Sequence, residues 1–102
     1  MDLYERLASA TGFDWDEGNV TKSVEKHGVS TAECEQVFFN APLLAAADPG
    51  HSSQEPRFFA LGQTDAGRHL FVAFTLRGTL IRPISTRDMS RRERAAYTKH
   101  QF

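Results

Sequence analysis

The feature that most constrains the fold is a run of three strand-like segments in the second half of the chain, spanning about residues 57–63, 69–77 and 80–86. In the middle segment, apolar residues at every second position define one face, as in a half-buried strand. The connections are a turn at 64–67 and a shorter one at Gly78-Thr79. Because strands joined by so few residues must run in opposite directions, the pattern predicts an antiparallel meander.

Proline interrupts the third segment at position 83. A proline cannot donate a ladder hydrogen bond, so this strand has either a free edge or a bulge at that point. Strict alternation places Arg77 and Arg87 on one face with Thr75 and Ser85, and Arg82 on the other. We therefore expect an open polar surface on the side of Arg77 and Arg87.

The flanking segments are helical. A helix is predicted from about 17 to 27, and Ser-x-x-Glu capping boxes at Ser30 and Ser90 predict two more. Short strands are predicted at 13–16 and 43–47. The predicted fold is α+β, with an N-terminal short strand and two helices, then the meander, then a C-terminal basic helix against the sheet. Residues 1–12 are interpreted as an N-terminal extension and 13–102 as a single domain.

Charge is distributed unevenly along the chain, although the net charge is only −1. Residues 1–56 hold ten acidic and three basic side chains, a net of −7. Residues 57–102 hold nine basic side chains, eight of them arginine, against three acidic ones, a net of +6. Arginine binds phosphates through its planar fork, so a polyanion is the first partner to consider. The alternative is an ordinary surface with both signs interspersed.

Composition argues against several classes of protein. No apolar run approaches the ~20 residues that span a bilayer, so no membrane contact is expected. Cys34 is the only cysteine and is interpreted as a small buried hydrophobe; together with the absence of a signal-like start, it favours the reducing cytoplasm. The four histidines are scattered without ligand spacing, so neither a metal nor a cofactor is expected.

Cleavage of RNA without a metal requires a base for the 2′-hydroxyl proton, an acid for the leaving 5′ oxygen, and cations for the phosphate. Strand arginines suit the third role, and Glu93 could orient one of them in addition to capping a helix. The base stays open among several residues: His27, His51, Glu55, Glu93 and Tyr97. Structural roles compete with these, since His27 could point to the core at a helix end, Tyr97 could be a core residue, and the arginines could be merely solvated.

Several separated motifs between Phe13 and Tyr97 resemble the BrnT toxins. The motifs are Phe13-Asp14-Trp15-Asp16-Glu17-x-Asn19, Lys26-His27-Gly28-Val29-Ser30, Asp48-Pro49-x-His51, Glu55-x-Arg57, Leu61-Gly62, Arg82-x-Ile84-Ser85-x-Arg87 and Arg91-x-Glu93-x-x-x-Tyr97. The resemblance implies a bacterial, cytoplasmic ribonuclease toxin of a type II toxin–antitoxin pair, with a RelE-like fold. It also implies a BrnA-like antitoxin in a 2:2 complex, with operator DNA bound only through that antitoxin.

The residues and the resemblance together give two sets of candidate site residues. The expected catalytic residues are Lys26, His27, Arg57, Arg77, Arg87 and Glu93. The expected RNA-binding residues are His51, Arg82, Ser85, Arg91 and Arg92. The predicted function is metal-independent RNA cleavage that inhibits translation and growth. The alternative is a non-catalytic module that binds the antitoxin or nucleic acid in operon autoregulation.

Overall fold

The computed structural model describes residues 1–51 and 54–100, without the side chains of 21–25 and 51. In chain order, its elements are α1 (Leu3–Ala8), β1 (Gly12–Phe13), α2 (Glu17–His27), α3 (Thr31–Val37), β2 (Leu44–Ala47), a 3₁₀ turn (Pro49–His51), β3 (Phe58–Gln63), β4 (His69–Arg77), β5 (Leu80–Asp88) and α4 (Arg91–Thr98). The predicted α+β class is confirmed. The predicted limits of α2 and β4 agree with the structure.

The strands form one five-stranded sheet in the order β1-β5-β4-β3-β2. The pairs β2–β3, β3–β4 and β4–β5 are all antiparallel, which confirms the predicted meander. The short strand β1 is parallel to β5, with Phe13 opposite Ile81. After Phe13 the chain turns into α2, whose start is fixed by two reciprocal bonds: Asn19 N donates to the Asp16 carboxylate at 2.9 Å, and Asp16 N donates to the Asn19 amide oxygen.

A β-bulge interrupts the pairing of β4 with β5. Ser85 lies opposite Ala73, whereas Pro83 lies opposite Phe74, so Ile84 is the extra residue. Of the two outcomes expected from Pro83, a free edge or a bulge, the structure has the bulge. Beyond it Arg82 lies opposite Thr75, on the same face as Arg77. The expectation that Arg82 lies on the other face was wrong, because one additional residue reverses the alternation.

Both predicted capping boxes form. Glu33 N donates to Ser30 Oγ at 3.1 Å, and Ser30 N donates back to the Glu33 carboxylate at 3.1 Å. In α4, Glu93 N donates to Ser90 Oγ at 3.1 Å, and Ser90 N donates to Glu93 Oε1 at 2.8 Å. Each box satisfies backbone donors that a helix N-terminus otherwise leaves without partners. The Glu93 carboxylate is thereby anchored to the first turn of α4.

The two faces of the sheet bury different clusters. On one face, Val72 and Phe74 of β4 pack against Cys34 and Val37 of α3. Burial raises the pKa of the Cys34 thiol to about 12, so this cysteine is an inert core residue, as expected. On the other face, Tyr97 of α4 packs with Leu61 and Met89 in a smaller cluster. The sheet face that α4 covers therefore contributes only a small part of the hydrophobic core.

Helix α1 covers the outer edge of β2. Leu3 and Leu7 pack against the main core. The backbone N–H of Ala45, in edge strand β2, donates to the hydroxyl of Tyr4 at 2.9 Å. The first residues of the chain are therefore attached to the sheet by both apolar and polar contacts.

Gly62 of β3 lies directly against Val37 of α3. A Cβ atom at this position would lie 2.6 Å from Cγ1 of Val37 and 3.2 Å from the Val37 carbonyl oxygen. We expect Gly62→Ala to lower the free energy of unfolding by about 1–3 kcal/mol, because the backbone must shift to admit a methyl group. Urea denaturation measures this. Gly50→Ala is the matched control, since its nearest contact would be at 3.8 Å; equal stability of the two variants would contradict the prediction.

Candidate functional site

A cleft lies where α4 stands over the sheet. Its floor comes from β3 and β4 and its sides from the end of β5 and from α4. Its volume is about 470 Å³, within the usual range for ligand sites. The lining residues are Asp48, Phe59, Leu61, Phe71, Arg87, Arg92, Glu93 and Ala96. Apolar rings, two arginines and two carboxylates therefore share one concave surface.

Arg87 is held in a fixed orientation inside this cleft. Its Nη1 and Nη2 donate to the two carboxylate oxygens of Glu93 at 2.7 and 2.9 Å, and Nη1 also donates to the Asp88 carbonyl at 3.1 Å. Its Cζ lies 4.1 Å from the centroid of the Phe71 ring. A guanidinium has five N–H donors, so about two are left for an anionic ligand. Arg87 is thus a preoriented cation with unused donors.

Glu93 is the group that orients Arg87. The hydrogen bonds from Arg87, supported by the bond from Ser90 N, lower the pKa of the Glu93 carboxyl below its ordinary value. Both oxygens accept from Arg87, so the carboxylate is ionised and already engaged. This geometry suits a positioning residue better than a proton acceptor.

Helix α4 adds cations beside the cleft. The side chains of Arg91 and Arg92 are exposed, and Arg92 lines the cleft. Over residues 1–51 and 54–100, neither guanidinium forms an ion pair. These two arginines are therefore available to a phosphate without the loss of an existing salt bridge.

The other strand arginines lie at the opposite end of the same face and are largely neutralised. Arg82 pairs with Asp16 and, at 3.4 Å, with Asp14. Arg77 pairs with Glu55 at 3.3 Å. The hydrogen bond from Arg82 lowers the pKa of the Asp16 carboxyl. Acidic residues of the first half of the chain thus occupy arginines of the second half.

A second cavity, of about 450 Å³, adjoins that cluster and is lined in part by Arg57 and Arg82. It is separate from the cleft beside α4. Phe71 and Arg77 are six positions apart in β4, which corresponds to roughly 20 Å at the usual rise per residue. The predicted catalytic arginines therefore do not converge on one point.

Lys26 and His27 line neither of these two cavities and lie at the C-terminal end of α2. Both side chains are exposed. The expectation that His27 points to the core was wrong, because its side chain lies exposed at the very end of α2, where Arg68 rather than the core holds the chain. Arg68 binds this helix end instead, donating to the His27 carbonyl at 3.3 Å and to the Gly28 carbonyl at 3.0 Å.

Sequence reasoning missed the role of Arg68. Its guanidinium also pairs with Glu33 at 3.2 Å and with Asp88 at 2.8 Å, and these bonds raise the pKa of the arginine. Arg68 thus ties α2, α3 and the end of β5 together. Its partners are distant in the chain, and no local pattern indicates them.

The remaining candidates are distributed as follows. Ser85 lies opposite Ala73, next to Arg87 on the same face. Tyr97 is buried and donates its hydroxyl to the Pro42 carbonyl at 2.6 Å, which is a core role. The side chain of His51 lies outside the described part of the structure.

Two general features complete the description of the site. In the described part of the chain, no three His, Cys, Asp or Glu side chains form a group that could hold a metal ion. Likewise, none of the described helices has the length and apolar character to cross a bilayer.

Protonation of Glu93 should make stability depend on pH. A carboxyl whose pKa is lowered by folding stabilises the native state fully above its unfolded value of about 4.5, and this contribution is lost as pH falls through the lower folded value. We expect the free energy of unfolding of the wild type to fall more steeply below pH 4.5 than that of Glu93→Gln. Urea titrations at pH 3 to 7 measure both curves. Parallel curves would contradict the prediction.

Comparison with known proteins places this arrangement in context. Residues 15–93 match a family model described as the ribonuclease toxin, BrnT, of type II toxin–antitoxin systems. The fold is similar to that of the Brucella abortus ribonuclease toxin BrnT, known from a 1.1 Å crystal structure. The similarity has a TM-score of 0.56 at 24% identity and covers 78% of this chain and 97% of the other. No curated protein matches the sequence.

Proposed function

The chain belongs to the BrnT family of ribonuclease toxins of type II toxin–antitoxin systems, and from this premise we propose that it is a metal-independent endoribonuclease acting at the cleft beside α4. The observation that carries the proposal is the Arg87–Glu93 pair. It supplies a fixed cation with unused donors on a concave surface. Such preorganised donors are the largest single contribution to many enzymatic rate enhancements.

In the proposed reaction, the 2′-hydroxyl of a ribose attacks the adjacent phosphorus, and the bond to the 5′ oxygen breaks. Negative charge accumulates on the non-bridging oxygens, where the free N–H groups of Arg87 can donate. Arg92 adds a second positive charge at the cleft. Glu93 keeps the Arg87 fork in place and is a positioning residue.

The proton transfers need a base for the 2′-hydroxyl and a proton for the leaving 5′ oxygen, and solvent water can supply the latter. Glu93 and Glu55 are engaged with arginines, and Tyr97 with a carbonyl. Of the residues among which the base was left open, we propose His51, which was expected as an RNA-binding residue, because its turn directly follows Asp48, which lines the cleft. Arg57, Arg77, Arg82 and Ser85 are proposed RNA contacts further along the sheet, and we propose no catalytic role for Lys26 or His27.

Membership in a type II toxin family supports a protein antitoxin as partner. We propose a BrnA-like antitoxin in a 2:2 complex, with operator DNA bound only through the antitoxin. The proposed place of action is the bacterial cytoplasm, where RNA and antitoxin are both made.

A second function is favoured by one observation. Arg77 and Arg82 are already paired with carboxylates of the same chain, which weakens their attraction for RNA. A chain that keeps such pairs could act as a non-catalytic module that binds the antitoxin in operon autoregulation.

The deciding experiment incubates the purified chain with single-stranded RNA in excess EDTA. We expect cleavage, and we expect growth arrest on expression that an antitoxin relieves. Activity that appears only when Mg²⁺ is restored would overturn metal independence. A chain that binds an antitoxin but cleaves no RNA under either condition would establish the second function.

A further inference from the structure

The Arg87–Glu93 pair is built across the junction between β5 and α4. Arg87 lies one residue before the end of β5, and Glu93 lies in the first turn of α4. Only Met89 and Ser90 connect the two elements. The way in which this short connection is held therefore affects how the two side chains face each other.

The beginning of β4 holds the junction at two consecutive points. Arg68, directly before β4, donates through Nε and Nη2 to the two carboxylate oxygens of Asp88, at 2.8 and 3.1 Å. The next residue, His69, accepts at its carbonyl from the Met89 N–H at 3.1 Å. A bidentate arginine fixes the orientation of a carboxylate as well as its distance. Residues 68 and 69 thus clamp residues 88 and 89.

Asp88 also contacts the guanidinium in the cleft. Its carbonyl accepts from Nη1 of Arg87 at 3.1 Å, and the same Nη1 donates to Glu93 Oε1 at 2.7 Å. Asp88 is therefore bound by Arg68 through its side chain and by Arg87 through its backbone. A shift of Asp88 would move one of the acceptors that orient Arg87.

Arg68 is well anchored on its other side. It donates to the carbonyls of Gly28 at 3.0 Å and His27 at 3.3 Å, and it pairs with Glu33 at 3.2 Å. The hydrogen bond from Arg68 lowers the pKa of the Asp88 carboxyl, so the bridge is charged at neutral pH. An arginine that is already tied to α2 and α3 loses little further freedom in holding Asp88, unlike a solvated surface arginine.

We propose that Arg68 is a positioning residue for RNA cleavage, which orients the Arg87–Glu93 pair by clamping Asp88. This inference rests on the proposed function, since it assigns Arg68 a part in the reaction at the cleft beside α4. Arg68 does not line that cleft and needs no contact with RNA. The orientation of Arg87 matters most in the transition state, so loss of the clamp should lower kcat and leave KM nearly unchanged.

The test replaces Asp88 by asparagine, which keeps the backbone carbonyl and the side-chain size but removes the clamped carboxylate. We expect Asp88→Asn to lower kcat for a labelled RNA in EDTA ~10- to 100-fold, with KM within about threefold of wild type. The matched control is Glu33→Gln, which removes the other carboxylate bound by Arg68. Glutamine is accepted at this capping-box position, and the control should change kcat by less than about threefold.

Two further variants show whether Asp88 acts through its neighbours. Arg68→Lys keeps the charge but not the bidentate fork, so its kcat should fall as in Asp88→Asn. In an Arg87→Ala background, Asp88→Asn should change the rate by less than about twofold, because the group that it positions is already absent. A further loss of about tenfold in that background would overturn the proposal. Circular dichroism and urea denaturation identify the variants that are folded.

A second measurement does not depend on cleavage. Relaxation of the ¹⁵N-labelled Arg87 Nε–H group, assigned by its loss in Arg87→Lys, reports how firmly the guanidinium is held. We expect a rigid group in wild type and Glu33→Gln, and an order parameter below ~0.6 in Asp88→Asn.

The outcomes separate this proposal from the proposed function. A folded Asp88→Asn with wild-type kcat and a rigid Arg87 overturns the positioning role, even if the protein cleaves RNA. Equal losses of kcat in Asp88→Asn and Glu33→Gln also overturn it, because Arg68 is then only a structural tie. If the wild type cleaves no RNA, the proposed function fails, and the order parameters decide whether Arg68 orients the pair.

Discussion

Arg87→Ala is expected to slow cleavage of RNA by the purified chain about 100- to 1,000-fold, the usual cost of removing one preorganised donor to a transition state. Arg87 supplies free N–H groups and positive charge in the cleft, and its fork is fixed by Glu93. Arg87→Lys should recover little activity, because an ammonium cannot reproduce the bidentate geometry. Initial rates on a fluorescently labelled RNA in EDTA measure the loss.

Arg94→Ala provides the control for this prediction. Arg94 is exposed on the same helix but does not line the cleft. Its removal should change the rate by less than about threefold, through the general loss of one surface charge. Arg87→Ala protein that is folded and as active as Arg94→Ala would exclude Arg87 from the reaction.

Phe74→Ala is expected to lower the free energy of unfolding by about 3–5 kcal/mol. Phe74 is fully buried, and its ring contacts Phe38 edge-on at 5.3 Å and Phe58 at 5.6 Å. Loss of the ring leaves a cavity between β4 and α3 that the backbone cannot close. Because domains of this size are stable by only ~5–15 kcal/mol, a large part of the total is removed. Urea denaturation at neutral pH measures the difference.

The exposed Phe39 provides the matched control for Phe74→Ala. Phe39→Ala removes the same ring from a side chain that is 79% exposed, and it should alter stability by less than about 0.5 kcal/mol. Similar losses for both variants would mean that the β4–α3 contact is not the centre of the core.

Elements that depend on residues close together in the sequence were predictable. The capping boxes at Ser30 and Ser90 depend on residues three positions apart, and both form as expected. The meander follows from short turns and alternating residues. Pro83 indicated either a free edge or a bulge, and the consequence of a bulge for Arg82 was missed because alternation was extended through the irregularity.

The arrangement of the site was less predictable because it depends on contacts between distant segments. Arg87 and Glu93 were each singled out, and an orienting role for Glu93 was foreseen. The ion pairs of Arg82 with Asp14 and Asp16 join residues far apart in sequence, so the basic surface looked more available than it is. Phe59 and Phe71 were missed as cleft residues, because the cleft depends on how α4 crosses the sheet.

The attachment of α1 at the rim of the sheet has a consequence for solubility. Strand β2 is the last in the sheet, and an uncovered last strand is a template onto which another molecule can add its own strand. The Tyr4 hydroxyl occupies the Ala45 N–H that such an incoming strand would need. At the other rim, β1 is only two residues long. The first helix therefore helps to keep separate copies of the protein from joining edge to edge as they accumulate.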